Sequence, residues 1–300
     1  MSMDFEKEVA GIVALVPQGI KLAPETALIA AGALEEVDRD YGPESDNPHD
    51  FHDAPHSVGA IRRGVRLANM LYPYIRPIHR RRFHDLVIVG ESVHDRYRDR
   101  APNNEAESAE FGVKKVEEAD GPLNTKSFKR RLPYGVMATA VTIESDGRVV
   151  QHNMLRGSRD PIKFVMGFGD KNGIAMEGEK RMWSDAADLY YEVTPSSEQT
   201  VEGLVAFIGK GQKQFLRQGL NDPLIKAYIA RYFPDDKKAV YDDMHEAFHD
   251  NIASAHDLAC KVSERPELQE AIGHIARRVD RSRVGPLIGK MIRRKVAHSQ

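Results

Sequence analysis

The chain has 300 residues, 41% hydrophobic and 29% charged, which excludes wholesale disorder and leaves apolar material for one large core or two modest ones. No apolar run approaches the roughly 18 residues of a membrane span, and charge at Asp4 and Glu6-Lys7-Glu8 stands where a secretion signal would be apolar. The net charge of −2 hides an asymmetry: Arg277 to Gln300 holds eight Lys or Arg and one acid, net +7, which leaves −9 for residues 1–276.

The first helical stripe is Val9, Ile12, Val13 and Val16, punctuated by Pro17-Gln18-Gly19. Gly42 to Asn47 reads as a polar loop. Asp53-Ala54-Pro55 then reads as a helix start, a capping acid two residues before a proline. Val58, Ile61, Val65, Ala68 and Leu71 give that helix an apolar face, and Pro73 and Pro77 close it before the basic turn Arg80-Arg81-Arg82. Leu86-Val87-Ile88-Val89 is read as a buried helix because the pattern continues through Glu91 and Val93 into His94-Asp95.

A charged helix follows over about Glu105 to Glu118, and Gly121 to Pro133 is expected to be a linker or surface excursion. Residues 134–183 stay open. Val136, Ala140, Val141 and Ile143 suit a helix, while Asp146-Gly147 suits a hairpin turn with Arg148-Val149-Val150 as one arm. Beyond Pro195 the stripes are helical again: Val201, Leu204, Val205, Ile208, then Tyr241, Met244, Phe248, Ile252, Ala255, Leu258. The reading is an all-α chain, with one domain over 1–195 and a helical extension with a basic tail over 196–300. The lone cysteine, Cys260, excludes an intrachain disulfide and fits a reducing cytoplasm.

Six of the twelve histidines (His49, His52, His56, His79, His84, His94) fall within 46 residues, and two segments place them at helix ends. Phe51-His52-Asp53-Ala54-Pro55-His56-Ser57 puts His56 at the start of an amphipathic helix. Val89-Gly90-Glu91-Ser92-Val93-His94-Asp95 puts a His-Asp pair at the end of an apolar one. Closing a buried helix with two ionisable groups is costly unless something compensates, and a divalent metal does so. Imidazole with carboxylate suits Mn, Fe, Co, Ni, Zn or Mg. Other His-Asp dipeptides carry less: His84-Asp85 precedes its apolar run, and His249-Asp250 and His256-Asp257 share a helix face without a later acid-bearing apolar segment.

This arrangement resembles the HD-domain superfamily of metal-dependent phosphohydrolases, over about His52 to Asp170. The resemblance implies an all-α HD-like bundle with the metal held between helices, with extra C-terminal helices here. It offers His56, His94 and Asp95 as metal ligands together with a later aspartate, for which Asp146, Asp160, Asp170, Asp185 and Asp188 are candidates. Asp170 is the best placed, at the end of the apolar stretch Phe164–Gly169. The resemblance further implies His52 as general acid and Asp99 as the group orienting the attacking water, with Ser108 behind the site. Arg62, Arg63 and Lys163 are candidates for phosphate contacts.

Arg96-Tyr97-Arg98 follows the pair where relatives carry glycine, proline or histidine. Relatives with two metals carry further histidines between the pair and the last aspartate, where this chain has only His152, so the resemblance implies a mononuclear site or a second ion held mainly by carboxylates and water. The expected activity is hydrolysis of a phosphate monoester or diester of nucleotide type. No Gly-rich phosphate loop, Cys-based zinc motif or Gly-x-Ser-x-Gly elbow competes. The alternative is a non-catalytic module of the same fold, a regulatory domain or one that binds nucleic acid or an acidic partner through the basic tail. A homo-oligomer is compatible with either.

Overall fold

Asp4, Asp53, Thr125 and Thr200 each accept a hydrogen bond from the backbone N–H three residues on (Lys7, 3.1 Å; His56, 2.9 Å; Phe128, 3.2 Å; Gly203, 3.0 Å), and each opens a helix. Such side-chain oxygens satisfy donors that the first helical turn leaves without a partner. The computed structural model describes residues 3–49, 51–98, 104–143, 149–171, 176, 179–211 and 223–297, and its fold is all-α.

The chain divides into two units, the first formed by Met1–Gly173 with Lys226–Tyr241 and the second by Ile174–Ile225 with Asp242–Gln300. The expected break at residue 195 therefore falls inside the second unit. The reason is the amphipathic segment after residue 173, whose apolar face belongs to the C-terminal core, while 226–241 returns to the first core.

In the first unit the helices are α1 (Phe5–Val13), α2 (Thr26–Tyr41), α3 (Ala54–Leu71), α4 (Pro77–Arg80), α5 (Phe83–Val93), α6 (Asn104–Ala119), α7 (Lys126–Val136), α8 (His152–Leu155) and α9 (Ile162–Lys171). Every residue of α5 is buried. It lies at the centre, in contact with α2, α3, α6, α7 and α9. The stripe read from α3 faces it, since Val58, Ile61, Val65, Ala68 and Leu71 are all buried. Gly64 permits the close approach: a Cβ there would stand 2.8 Å from Val87 and 3.2 Å from Glu91.

The linker expected over Gly121 to Pro133 is instead largely α7. Phe128, Leu132 and Val136, at i, i+4 and i+8, are buried. Two residues of the basic run Lys129-Arg130-Arg131 are committed to partners, while Arg130 is exposed. Lys129 pairs with Glu117 at 2.7 Å, and the Arg131 guanidinium grips Asp160 at 2.5 and 3.0 Å while donating to the carbonyls of Arg81 and His79. Pro133 lies within the helix, its place held by this packing against the usual cost.

Of the open stretch 134–183, Val136 ends α7, Val149-Val150 forms one arm of a two-strand ladder, and the expected turn Asp146-Gly147 with Arg148 lies outside the described residues. β1 (Thr142–Ile143) and β2 (Val149–Val150) pair antiparallel, with Thr142 opposite Val150. The returning segment 226–241 closes the unit. Tyr228 and Tyr232 donate to the carbonyls of Gln151 (3.4 Å) and Met154 (2.7 Å), and Phe233 packs edge-on against Phe164.

The second unit contains α10 (Glu179–Val193), α11 (Val201–Ala206), most of α13 (Lys237–Glu264), α14 (Pro266–Ala276) and α15 (Arg281–Ala297); α12 (Pro223–Tyr232) begins in it and ends in the first. Its core gathers Trp183, Tyr190, Leu204, Ile208, Val262, Ile272, Val284 and Ile288. Here α10 and α15 meet so closely that a Cβ on Gly285 would overlap the Ser184 backbone. Among the described residues no helix is long and apolar enough to cross a membrane.

Candidate metal centre

The Asp53 cap fixes the first turn of α3, so His56 leaves the helix start at a defined angle with its ring 5% exposed. His94 and Asp95 follow directly on α5, and both are buried. Asp170 arrives at the C-terminal end of α9, also buried. Three helices of one unit therefore deliver four side chains to one place.

His94 Nε2 lies 2.8 Å from Asp95 Oδ2, and His56 Nε2 lies 3.5 Å from the same oxygen. Asp170 Oδ1 stands 3.4 Å from His56 Nε2 and 3.5 Å from His94 Nε2. Donor atoms of His56, His94 and Asp95 all fall within 4.8 Å of one another. Yet His56 Nε2, His94 Nε2 and Asp95 Oδ2 are buried and none is satisfied by a well-formed hydrogen bond, although His94 Nε2 and Asp95 Oδ2 stand at ion-pair distance. Buried polar atoms are ordinarily partnered. Two imidazole nitrogens and a carboxylate oxygen left in this state form a donor set that fits a divalent ion such as zinc, manganese, iron or cobalt.

The surroundings orient these donors. His94 Nδ1 donates to the Glu91 carbonyl at 2.8 Å, which fixes the tautomer and leaves Nε2 facing the site. Arg63, 1% exposed, donates from Nε to the Gly169 carbonyl at 3.2 Å, holding the backbone next to Asp170. Ser108 Oγ accepts from Tyr97 N at 3.2 Å and steadies the turn after Asp95.

The electrostatics are uneven. Burial holds His56 down to about 4 against the pull of Asp170 and Asp95, so it is neutral and ready to ligate near pH 7. Burial also disfavours charge on His94, but the carboxylates of Asp95 and Asp170 outweigh it and lift the imidazole well above its ordinary value. Burial opposes ionisation of Asp95, and the charges of His94 and His52 overcome it, keeping the carboxyl well below the usual range.

The other expected residues divide. His52 is 2% exposed, its ring centroid 5.3 Å from that of His56. Asp99 and Asp146 lie outside the described residues. Asp160 is occupied by Arg131, and Asp185 and Asp188 belong to the second unit.

The phosphate contacts expected from the three bases take other partners. Arg62 pairs with Glu8 at 3.2 Å. Lys163 is buried, and its ammonium donates to the carbonyls of Asn153 and Arg156, close to the end of α8. Arg63 serves the backbone beside Asp170. A basic residue on an amphipathic helix is as readily bound to carbonyls as displayed, and only packing decides which. His84-Asp85 is structural as well, since Asp85 accepts from Ala23 N (2.8 Å) and Thr26 Oγ1 (2.5 Å) at the start of α2, and His84 Nε2 lies 2.9 Å from Asn69.

Sequence reasoning passed over Glu91. It is fully buried, its Oε2 is 3.8 Å from His94 Nδ1, and burial raises its carboxyl well above the usual range. The available signal was an acid inside the otherwise apolar run from Leu86 to Val93. Compared with protein-family models, with curated proteins and with solved structures, the chain matches none.

Proposed function

We propose that the chain is a metal-dependent phosphohydrolase acting on a phosphate monoester or diester of nucleotide type. The observation that carries this reading is the orphaned donor set of His56, His94 and Asp95, buried at one point with Asp170 beside it. His56, His94, Asp95 and Asp170 would hold the ion. When bound, such an ion supplies Lewis-acid polarisation of a phosphoryl oxygen and makes a water acidic enough to be a nucleophile near pH 7.

The chain's own groups perform the remaining work. Arg63 and the Glu91 carbonyl keep Asp170 and His94 in position. His52, adjacent to His56, gives its proton to the departing ester oxygen as the P–O bond breaks, while the oxygen of water bonds to phosphorus from the opposite side. Asp99 is assigned to orient that water on the strength of the family resemblance.

The test is metal analysis of the wild type beside His94→Ala and Asp95→Ala, followed by a screen of phosphate monoesters, diesters and nucleotides with Mn, Co and Mg. One equivalent more in the wild type than in either variant, with turnover lost in both variants, supports the reading. Activity retained in Asp95→Ala overturns it.

A second reading, a non-catalytic domain that binds nucleic acid, is favoured by one observation: Arg283, Lys290 and Arg294 on α15 are exposed. Binding of that kind weakens steeply as salt rises.

A further inference from the structure

Outside the first unit, metal-ligating side chains gather on one other element. From Asp242 onward α13 belongs to the second unit, and it carries Asp242, His245, His249, His256 and Cys260. At about 100° per residue these five fall within an arc of roughly 60°, so every histidine of this helix and the chain's only cysteine share one face.

The N-terminal part of this stripe reads His245-Glu246-Ala247-Phe248-His249, the H-E-x-x-H spacing in which two histidines one turn apart on a helix grip zinc. Such a short motif has meaning only in the right local structure, and that structure is present. The segment is helical, both imidazoles are half-buried on the same side, and their rings lie face to face with centroids 4.0 Å apart and planes 15° from parallel. From that position, rotation about the soft terminal side-chain torsions brings one nitrogen of each ring toward a shared point.

The charge around the pair favours a cation as well. Between Asp242 and Asp257 the helix carries five acids (Asp242, Asp243, Glu246, Asp250, Asp257) and no Lys or Arg.

We propose that His245 and His249 form a second cation site, for a zinc-class divalent ion with water completing its shell, separate from the centre built on His56, His94 and Asp95. Imidazole pairs select Zn, Ni or Cu over Mg or Ca. The site does not depend on whether the first centre is catalytic.

The test is titration of the full chain with Zn²⁺ or Ni²⁺, read by calorimetry and by metal analysis after desalting. The wild type is expected to bind one equivalent more than His245→Ala or His249→Ala, both of which alter half-buried positions and leave the circular dichroism unchanged. Glu246→Gln keeps the full stoichiometry, because that side chain is not a ligand. Asp95→Ala loses a different equivalent, so failure of the first centre and failure of this site are read separately. Paramagnetic Ni²⁺ broadens the His245 and His249 ring resonances at sub-stoichiometric addition in the Asp95→Ala background. Equal stoichiometry in the wild type and His249→Ala overturns the site. So does loss of the equivalent in His256→Ala or Cys260→Ser but not in His249→Ala, which would move the ion to the pair whose sulfur and ring nitrogens lie 3.8 and 3.9 Å apart.

Discussion

Arg63 Nε donates to the carbonyl of Gly169 at 3.2 Å, joining the helix that carries His56 to the residue before Asp170, 106 positions away in sequence. Neither group is a metal donor. Together they set the distance across which the candidate centre is assembled. The neighbouring Arg62, one residue earlier on the same helix, is tied instead to Glu8.

This contrast makes a direct test. Arg63→Gln is expected to weaken zinc affinity by about 10–100-fold, the usual effect of removing a group that orients a ligand. Arg62→Gln leaves it unchanged. Competition against a chromophoric chelator measures both, and equal affinities in the two variants would contradict the positioning role.

Zinc binding is expected to release a proton. Without an ion, the carboxylates of Asp95 and Asp170 keep His94 protonated well above its ordinary range, whereas ligation needs the neutral ring. Apparent affinity therefore rises with pH near neutrality. Calorimetry in two buffers of different ionisation enthalpy counts the proton, and heats independent of buffer would refute the coupling.

The Arg131–Asp160 pair gives an acid-sensitive contribution to stability. Burial resists ionisation of Asp160, but His79 and Arg131 hold its carboxyl at about 2, below the ordinary 3.8. A depressed carboxyl stabilises the fold above the unfolded-state value, and this contribution is lost as pH falls from about 4 through about 2. The difference corresponds to about 2 kcal/mol. Denaturant unfolding at pH 6 and pH 2.5 should show this loss in the wild type and a smaller one in Asp160→Asn. That variant is itself destabilised at pH 6 by roughly 3–5 kcal/mol, because it leaves the Arg131 charge buried without its counter-ion.

Trp183 is the only tryptophan, fully buried in the core of the second unit, so its emission reports on that unit. Gly285→Val forces a side chain into the Ser184 backbone beside it. The expected cost is about 1–3 kcal/mol, seen as a red shift of Trp183 emission at lower urea. An unchanged midpoint would mean that α10 and α15 can separate without cost.

Much of the secondary structure was legible in sequence because helices announce themselves locally. Asp53 before Ala54-Pro55 marks a cap, and Val58 through Leu71 marks a buried face; both are short-range patterns of one element. α7 was hidden for the opposite reason. Its Lys129 and Arg131 look solvated until Asp160, Glu117 and two distant carbonyls are brought to them.

The candidate centre divides along the same line. Sequence alone determined that His56 opens one helix and that His94-Asp95 ends a buried one, since cap and hydrophobic period lie within a dozen residues of each. It also marked Asp170 as the end of an apolar stretch. Only the tertiary structure decided that Asp170 meets the two imidazoles while Asp160 does not, that Arg63 faces Gly169 and Lys163 faces Asn153 and Arg156, and that Glu91 lies buried behind His94. A side chain's partner across 100 residues depends on how helices cross and which small residues let them approach, and that is a property of packing rather than of any local pattern.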